Sequence, residues 1–262
     1  AMNGNGHTVT NFTFTNAALD YVGLFGNVSY SNINFLGLIS PSVTGKIYTG
    51  GLIGRMVGQV NLVNSFIKGG TITGTTNVGG LVGELTGRGI VKNTYSTASV
   101  VGTTSAVGGI MGALNSTNFF YSFTTGAVTA NAASVNTRPD LGYRNSGSLT
   151  HIYYNLNSSC TNCSSTGHGL SVDVGGVSPT NYFYLAESAP ISPTWDLTNT
   201  WVTHVNDYPT FRDESGDLTP PTVVDVQSTN ANASYRQGDD LEILVTFSEP
   251  VSVTTTGGTP YI

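Results

Sequence analysis

The sequence predicts an all-β chain wound into a solenoid, and three observations carry that prediction. Four near-copies of one glycine motif recur, Gly23-Leu24-Phe25-Gly26, Gly51-Leu52-Ile53-Gly54, Gly80-Leu81-Val82-Gly83 and Gly109-Ile110-Met111-Gly112. They start 28, 29 and 29 residues apart, and self-similarity at one fixed period marks a chain that coils on itself. In phase with them, about ten residues later, come Asn64-Ser65-Phe66, Asn93-Thr94-Tyr95 and Tyr121-Ser122-Phe123. A third set follows, Gly70-Thr71-Ile72-Thr73-Gly74, Ala98-Ser99-Val100-Val101-Gly102 and Gly126-Ala127-Val128-Thr129. Three short segments rich in β-branched and aromatic residues, each bounded by Gly, Asn, Ser or Thr, read as three strands per coil. No stretch carries the 3.6-residue apolar stripe of a helix.

Stacking assigns each repeated position a role. Parallel strands of adjacent coils lie about 4.8 Å apart, so equivalent residues sit above one another. Leu24, Leu52, Leu81 and Ile110 are expected to form an inward ladder, with Phe25, Ile53, Val82 and Met111 on the opposite face of the same strand. The glycines are expected to be geometric, with Gly26, Gly54, Gly83 and Gly112 turning corners that need positive φ or a missing Cβ. No helix follows Gly23, Gly51, Gly80 or Gly109 to supply a dipole, so the motif cradles no phosphate.

At these residues the chain resembles the GLUG repeat family, whose core is glycine, leucine, a hydrophobic residue and glycine. The resemblance spans roughly residues 1 to 175 and takes in the opening Asn3-Gly4-Asn5-Gly6-His7-Thr8-Val9 and the segment Asn11-Phe12-Thr13-Phe14-Thr15-Asn16. Leu141-Gly142-Tyr143 with Ile152-Tyr153-Tyr154-Asn155 resembles a degenerate last repeat. The resemblance implies a right-handed parallel β-helix, here of about six coils, used as a display or binding surface in a large secreted or surface-anchored bacterial protein, commonly an adhesin.

A solenoid's last coil leaves an apolar end and unpaired strand edges that need a lid. Residues 176 to 218 are expected to supply it as capping segment and linker, with Tyr182-Phe183-Tyr184-Leu185, Trp195, Trp201 and Tyr208-Pro209-Thr210-Phe211 as cap core. A similar tryptophan, tryptophan, tyrosine-proline series closes many GLUG-containing proteins.

Composition points to a secreted or cell-surface protein. Only 9% of residues are charged against a usual quarter or so, and Gly, Ser, Thr and Asn make the wettable face instead. No 18-residue apolar run is present, so no membrane span is expected. The chain opens in mid-coil without a signal peptide, which is expected of a piece of something larger. Residues 1 to 175 carry a net +3 and residues 176 to 262 a net −9; the first is too small and scattered for a nucleic-acid groove.

A separate module is expected from residue 219 to 262. Pro220-Pro221 breaks the chain, Thr222-Val223-Val224-Asp225-Val226 reads as a strand, and Leu241-Glu242-Ile243-Leu244-Val245-Thr246-Phe247 alternates like a half-buried strand. With Ser248-Glu249-Pro250-Val251-Ser252-Val253 the pattern resembles a bacterial Ig-like sandwich, and the 44 residues make about half of one. Two explanations fit: a truncated piece of a longer protein, or strands completed by another copy of the chain in a filament.

Cys160 and Cys163 are the only cysteines, and in an oxidising compartment they are expected to pair as a small disulfide pinning a loop between last coil and cap. A redox motif would need a βαβ setting, and zinc would need two further ligands, with His168 and His151 the nearest candidates. Calcium at the 211 to 240 junction would draw on Asp213, Glu214, Asp217, Asp225, Asp239 and Asp240; the plainer meaning is a solvated acidic linker.

Parallel β-helices also serve as polysaccharide lyases and hydrolases, which need paired carboxylates or a base with charge neutralisation. The coil region offers Asp20, Glu84, Asp140 and Asp173, none paired in sequence. Glu84 is expected at a turn beside Arg55 one coil below, as a surface ion pair. A threonine ladder suited to ice breaks after Thr71, Thr73, Thr75 and Thr76, because the next coil answers with Ser99 and Val101. The expected function is therefore non-catalytic adhesion or display, with a glycan or protein surface or other copies of the chain as partner. A self-assembling filament subunit and a polysaccharide-degrading enzyme stand as alternatives. Any ligand face is expected to be a column of Asn, Thr and aromatic side chains on one wall.

Overall fold

The computed structural model describes residues 1–115, 118–155, 160–164, 167–168, 170–172, 195–204, 207–212, 223–228 and 243–247. The chain divides into two units, Ala1–Gly216 and Asp217–Ile262. One winding of the first unit consists of strands Ile53–Val57, Val60–Lys68 and Thr71–Gly79. The next repeats it as Val82–Thr86, Gly89–Ser96 and Ser99–Gly108. Equivalent strands pair in parallel, with Ile53 opposite Val82, Leu62 opposite Val91 and Ile72 opposite Val100. The period in the sequence is thus one circuit of the solenoid, and each circuit hydrogen-bonds to the next.

Three sheets result. Sheet C takes the first strand of each winding, sheet A the second and sheet B the third. Sheet C has five strands, from Phe25–Ser29 to Leu141–Arg144, which makes a parallel β-solenoid of about five turns. Partial windings extend it: Met2–Asn3 pairs with Asn32–Asn34 at one end, and Leu170–Val172 with Leu149–Asn155 at the other.

The aliphatic core lies between the sheets. Leu52, Ile53, Leu81, Val82, Ile110 and Met111 are each at most 1% exposed and belong to one cluster. The expected split of these pairs onto opposite faces is corrected here. Leu52, Leu81 and Ile110 stand in the bend between sheet B and sheet C, so both members of each pair reach the same core. Full burial of one such side chain contributes about 2 kcal/mol.

The corner glycines are corrected as well. Gly26, Gly54, Gly83 and Gly112 are the second residues of sheet C strands, or lie inside them, without positive φ. The left-handed corners fall to other residues, in two columns. Phe35, Asn64, Asn93, Tyr121 and His151 bend the sheet A strands, and Tyr21, Tyr48, Asn77, Ala106 and Asn136 bend the sheet B strands, all with φ between 48° and 60°. The missing Cβ is needed for a different reason. A Cβ on Gly83 would stand 2.5 Å from the Gly54 carbonyl oxygen and 2.6 Å from the Thr49 nitrogen. Sheet C therefore presses directly on the sheet B bend of the winding below, and only glycine lets two backbones come that close.

Sheet A carries a second core on its outer side. Phe66, Tyr95, Phe123 and Tyr153 occupy one register position in successive windings. Phe66 stacks on Tyr95 at 5.1 Å and Tyr95 on Phe123 at 4.9 Å, which are strand spacings. An antiparallel hairpin, Trp201–His204 with Asp207–Phe211, covers this column together with Trp195. Phe211 reaches Phe66 at 5.9 Å, Trp201 lies 6.0 Å from Phe123, and Trp195 lies 6.1 Å from Tyr153. The expected lid over the last coil is thus corrected to a clasp along the flank, because the aromatic column offers the tryptophans an apolar strip several windings long. Tyr208 contributes a ring 6.0 Å from Phe123 and a hydroxyl that accepts from Asn155 Nδ2 at 2.9 Å. Tyr182 to Leu185 lie outside the described residues.

The second unit contains an antiparallel hairpin of Val223–Ser228 and Ile243–Phe247. Val224, Val226 and Leu244 on it are exposed.

Candidate functional site

Where sheet B meets sheet C, successive windings place two columns of side chains next to each other. The sheet C column is Asn27, Arg55, Glu84, Ala113 and Tyr143, in direct strand register. The sheet B column is the left-handed series Tyr21, Tyr48, Asn77, Ala106 and Asn136. A strand alternates in and out of the core, and the residue that follows each sheet C glycine faces away from it.

Glu84 organises this wall. It is 8% exposed, and its Oε2 accepts from Arg55 Nε at 2.7 Å. Oε1 is approached by Asn77 Nδ2 at 3.3 Å and Asn115 Nδ2 at 3.5 Å. A buried carboxylate needs such partners. Arg55 in turn lies 5.1 Å from the Tyr48 ring centre and 5.9 Å from that of Tyr21, and those two rings stack at 5.0 Å. Burial first, and then the Glu84 carboxylate, hold the Tyr48 phenol above its ordinary pKa. The turn position and surface exposure expected of Glu84 are corrected: it stands within strand Val82–Thr86, buried between neighbouring windings.

Above Glu84 the wall opens into a notch of about 280 Å³, lined by Asn77, Glu84, Ser105, Asn115, Asn136 and Tyr143 over a floor of Ala106 and Ala113. Two other concavities exist among the described residues. One, of about 410 Å³, lies beside the flank hairpin and includes Lys68, His204, Asp207 and Arg212. The other, of about 220 Å³, has Tyr30, 81% exposed, beside Asn32, Gln59 and Asn61.

The remaining acids are occupied. Asp20 Oδ1 accepts the Ile47 N–H at 3.2 Å, and the fully buried Asp140 accepts the His168 N–H at 3.0 Å. Asp173 lies outside the described residues, as do Asp213, Glu214, Asp217, Asp239 and Asp240 of the calcium expectation. Asp225 accepts a hydrogen bond from Gln227. No cluster of three or more metal-ligating side chains occurs among the described residues. Cys160 and Cys163 are joined as a disulfide. Cys160 pairs with Val128 in sheet B, so the bridge belongs to a winding rather than to a loop outside it.

Sequence reasoning missed Tyr48, Asn77, Asn115, Asn136 and Tyr143. The signal was present: Tyr48, Asn77 and Ala106 each precede a glycine motif by three residues. Tyrosine and alanine disguise a left-handed column, because neither favours that conformation.

With the fold and wall described, the chain can be set beside known proteins. It is similar to a crystal structure of a putative immunoglobulin A1 protease from Bacteroides ovatus, with a TM-score of 0.57 over 80% of this chain and 76% of that one. The likeness is one of fold. Sequence identity is 17%, so the parallel β-solenoid is what the two share. No protein-family model matches the chain, and no curated protein matches it. No helix among the described residues is long and apolar enough to cross a membrane.

Proposed function

We propose that this chain is a non-catalytic adhesion or display module of a large bacterial surface protein, working outside the cell on a glycan or protein surface. The observation that carries this reading is the axial wall at the junction of sheets B and C. Tyr21, Tyr48, Arg55, Asn77, Glu84, Asn115, Asn136 and Tyr143 present rings, amides and one compensated ion pair on a rigid scaffold. Such mixed aromatic and amide surfaces recognise ligands with little ordering cost. Asp20, Glu84 and Asp140 are each committed to hydrogen bonds within the fold, which supports binding over acid-base chemistry. The GLUG-repeat and Ig-like resemblances belong to this same reading.

The test is incubation of the purified chain with immobilised polysaccharides and cell-surface proteins, measuring both retention and released product. Retention without release is the expected result. Release of cleaved product would overturn the reading in favour of a polysaccharide-degrading or proteolytic enzyme.

A second reading, a filament subunit, draws on the exposed Val224, Val226 and Leu244 of a hairpin only two strands wide, since such ribbons gain stability by adding strands. Light scattering across a concentration series tests it, and a monomer throughout would remove it.

A further inference from the structure

We propose that the notch at the junction of sheets B and C binds one neutral sugar residue at the end of a glycan. This deepens the adhesion reading and rests on it. Each passage of the chain around this corner contributes one residue to each column, seven positions apart: Tyr48 with Arg55, Asn77 with Glu84, Ala106 with Ala113, Asn136 with Tyr143. Three of these pairs are polar or aromatic at both positions. The third in order is alanine at both, so Glu84 and Tyr143 flank a vacated level. They stand two strand spacings apart, about 9.5 Å, and the space between is the notch of about 280 Å³.

Alanine at position 106 costs the fold something. Its φ is 54°, a left-handed conformation that asparagine tolerates and alanine does not. Asn77 and Asn136 hold that conformation in the adjoining windings at 53° and 55°. Fold stability alone favours asparagine at all three positions. A backbone held against its preference, where the preferred residue would fill a cavity, ties the strain to that cavity.

The lining fixes the ligand class. Glu84 Oε1 accepts, and its two amide partners at 3.3 and 3.5 Å are long enough to yield to a shorter bond from a hydroxyl. Asn77, Asn115 and Asn136 donate and accept, Ser105 does both, and the Tyr143 ring offers an apolar face. A sugar ring presents that same mixture of hydroxyls and C–H faces. Arg55 is already spent on Glu84, so no cation remains in the lining to meet an acidic sugar, and the carboxylate repels one. The volume lies at the lower end of small-molecule sites, room for one ring, and the windings above and below block extension along the axis. The glycan must therefore approach by its end.

The test is an NMR titration of the 262-residue chain with methyl glycosides of glucose, galactose, mannose and N-acetylglucosamine, and with glucuronate. At least one neutral glycoside is expected to shift the side-chain amides of Asn77 and Asn115 saturably at millimolar concentration, and glucuronate to bind about tenfold more weakly or worse. A106N should weaken binding about tenfold or more while raising Tm, and Y143A should weaken it without lowering Tm. If no neutral glycoside shifts those amides, or if A106N and Y143A bind as the parent does, the sugar site is overturned. Retention on the immobilised panel separates the two ideas. Parent and A106N retained alike would leave adhesion standing and remove the notch; a parent that is not retained removes both.

Discussion

Arg55 and Glu84 face each other across adjacent strands of sheet C, in direct register, with Nε 2.7 Å from Oε2. The pair is unequal: the Arg55 side chain is 28% exposed and that of Glu84 11%. Glu84 therefore depends on Arg55 more than the reverse, because an uncompensated buried carboxylate loses its hydration with nothing in return.

R55M is expected to destabilise the protein by about 2 kcal/mol, below the usual cost of breaking a fully buried pair because Arg55 is partly solvated. R55M combined with E84M should cost less than R55M alone, since the second change removes the stranded charge. Urea denaturation of the two single variants and the double variant checks this. A double variant as unstable as the sum of the singles would show that the pair is not coupled.

The flank clasp separates from an end lid by where its loss is felt. Trp201 is fully buried against Tyr95, Phe123 and Phe211, and truncating such a ring costs about 3 to 5 kcal/mol. W201A is expected to raise amide exchange in Val60–Lys68, Gly89–Ser96 and Asn118–Thr124, the middle strands of sheet A. Protection lost only around Leu149–Asn155 and beyond would point to an end lid instead.

The solenoid was legible in the sequence because every winding meets the same demands, so the glycine motif and the Phe66, Tyr95, Phe123 series repeat in phase. Two features were not. Where the tryptophans dock depends on which outer face of the coil is apolar, and Phe66 and Tyr95 could equally have belonged to the inner core by residue type. The binding wall was hidden because its columns mix Tyr, Asn and Ala at one backbone position. What unites them is a left-handed φ imposed by packing against Gly54, Gly83 and Gly112, not any shared chemistry.

Two glycine substitutions should therefore behave differently. G83A puts a Cβ within 2.6 Å of backbone atoms of Gly54, Tyr48 and Thr49, none of which can move without breaking a winding. It should cost about 3 kcal/mol or more, or prevent folding. At Gly69 a Cβ meets only the Ser40 hydroxyl at 3.6 Å, and the penalty is that of φ at 67°, about 1 kcal/mol. Thermal melts of G83A and G69A compare them; equal losses would refute the backbone-contact account of the motif.

His168 supplies a pH dependence whose sign follows from its surroundings. Burial first, and then Arg138, hold its imidazole below the ordinary pKa of 6.5, with Arg144 acting in the same direction and Asp140 opposing. The folded protein thus binds a proton there less readily than the unfolded chain. Stability from this group is complete above the unfolded pKa and declines as pH falls through it. The Tm is expected to hold steady near neutrality and to drop between about pH 7 and 5, before the carboxylates titrate. H168Q keeps the backbone N–H that Asp140 accepts at 3.0 Å but removes the titrating ring, so its melting profile should be flatter over that interval. A parent and an H168Q variant with the same slope would assign the acid sensitivity to other groups.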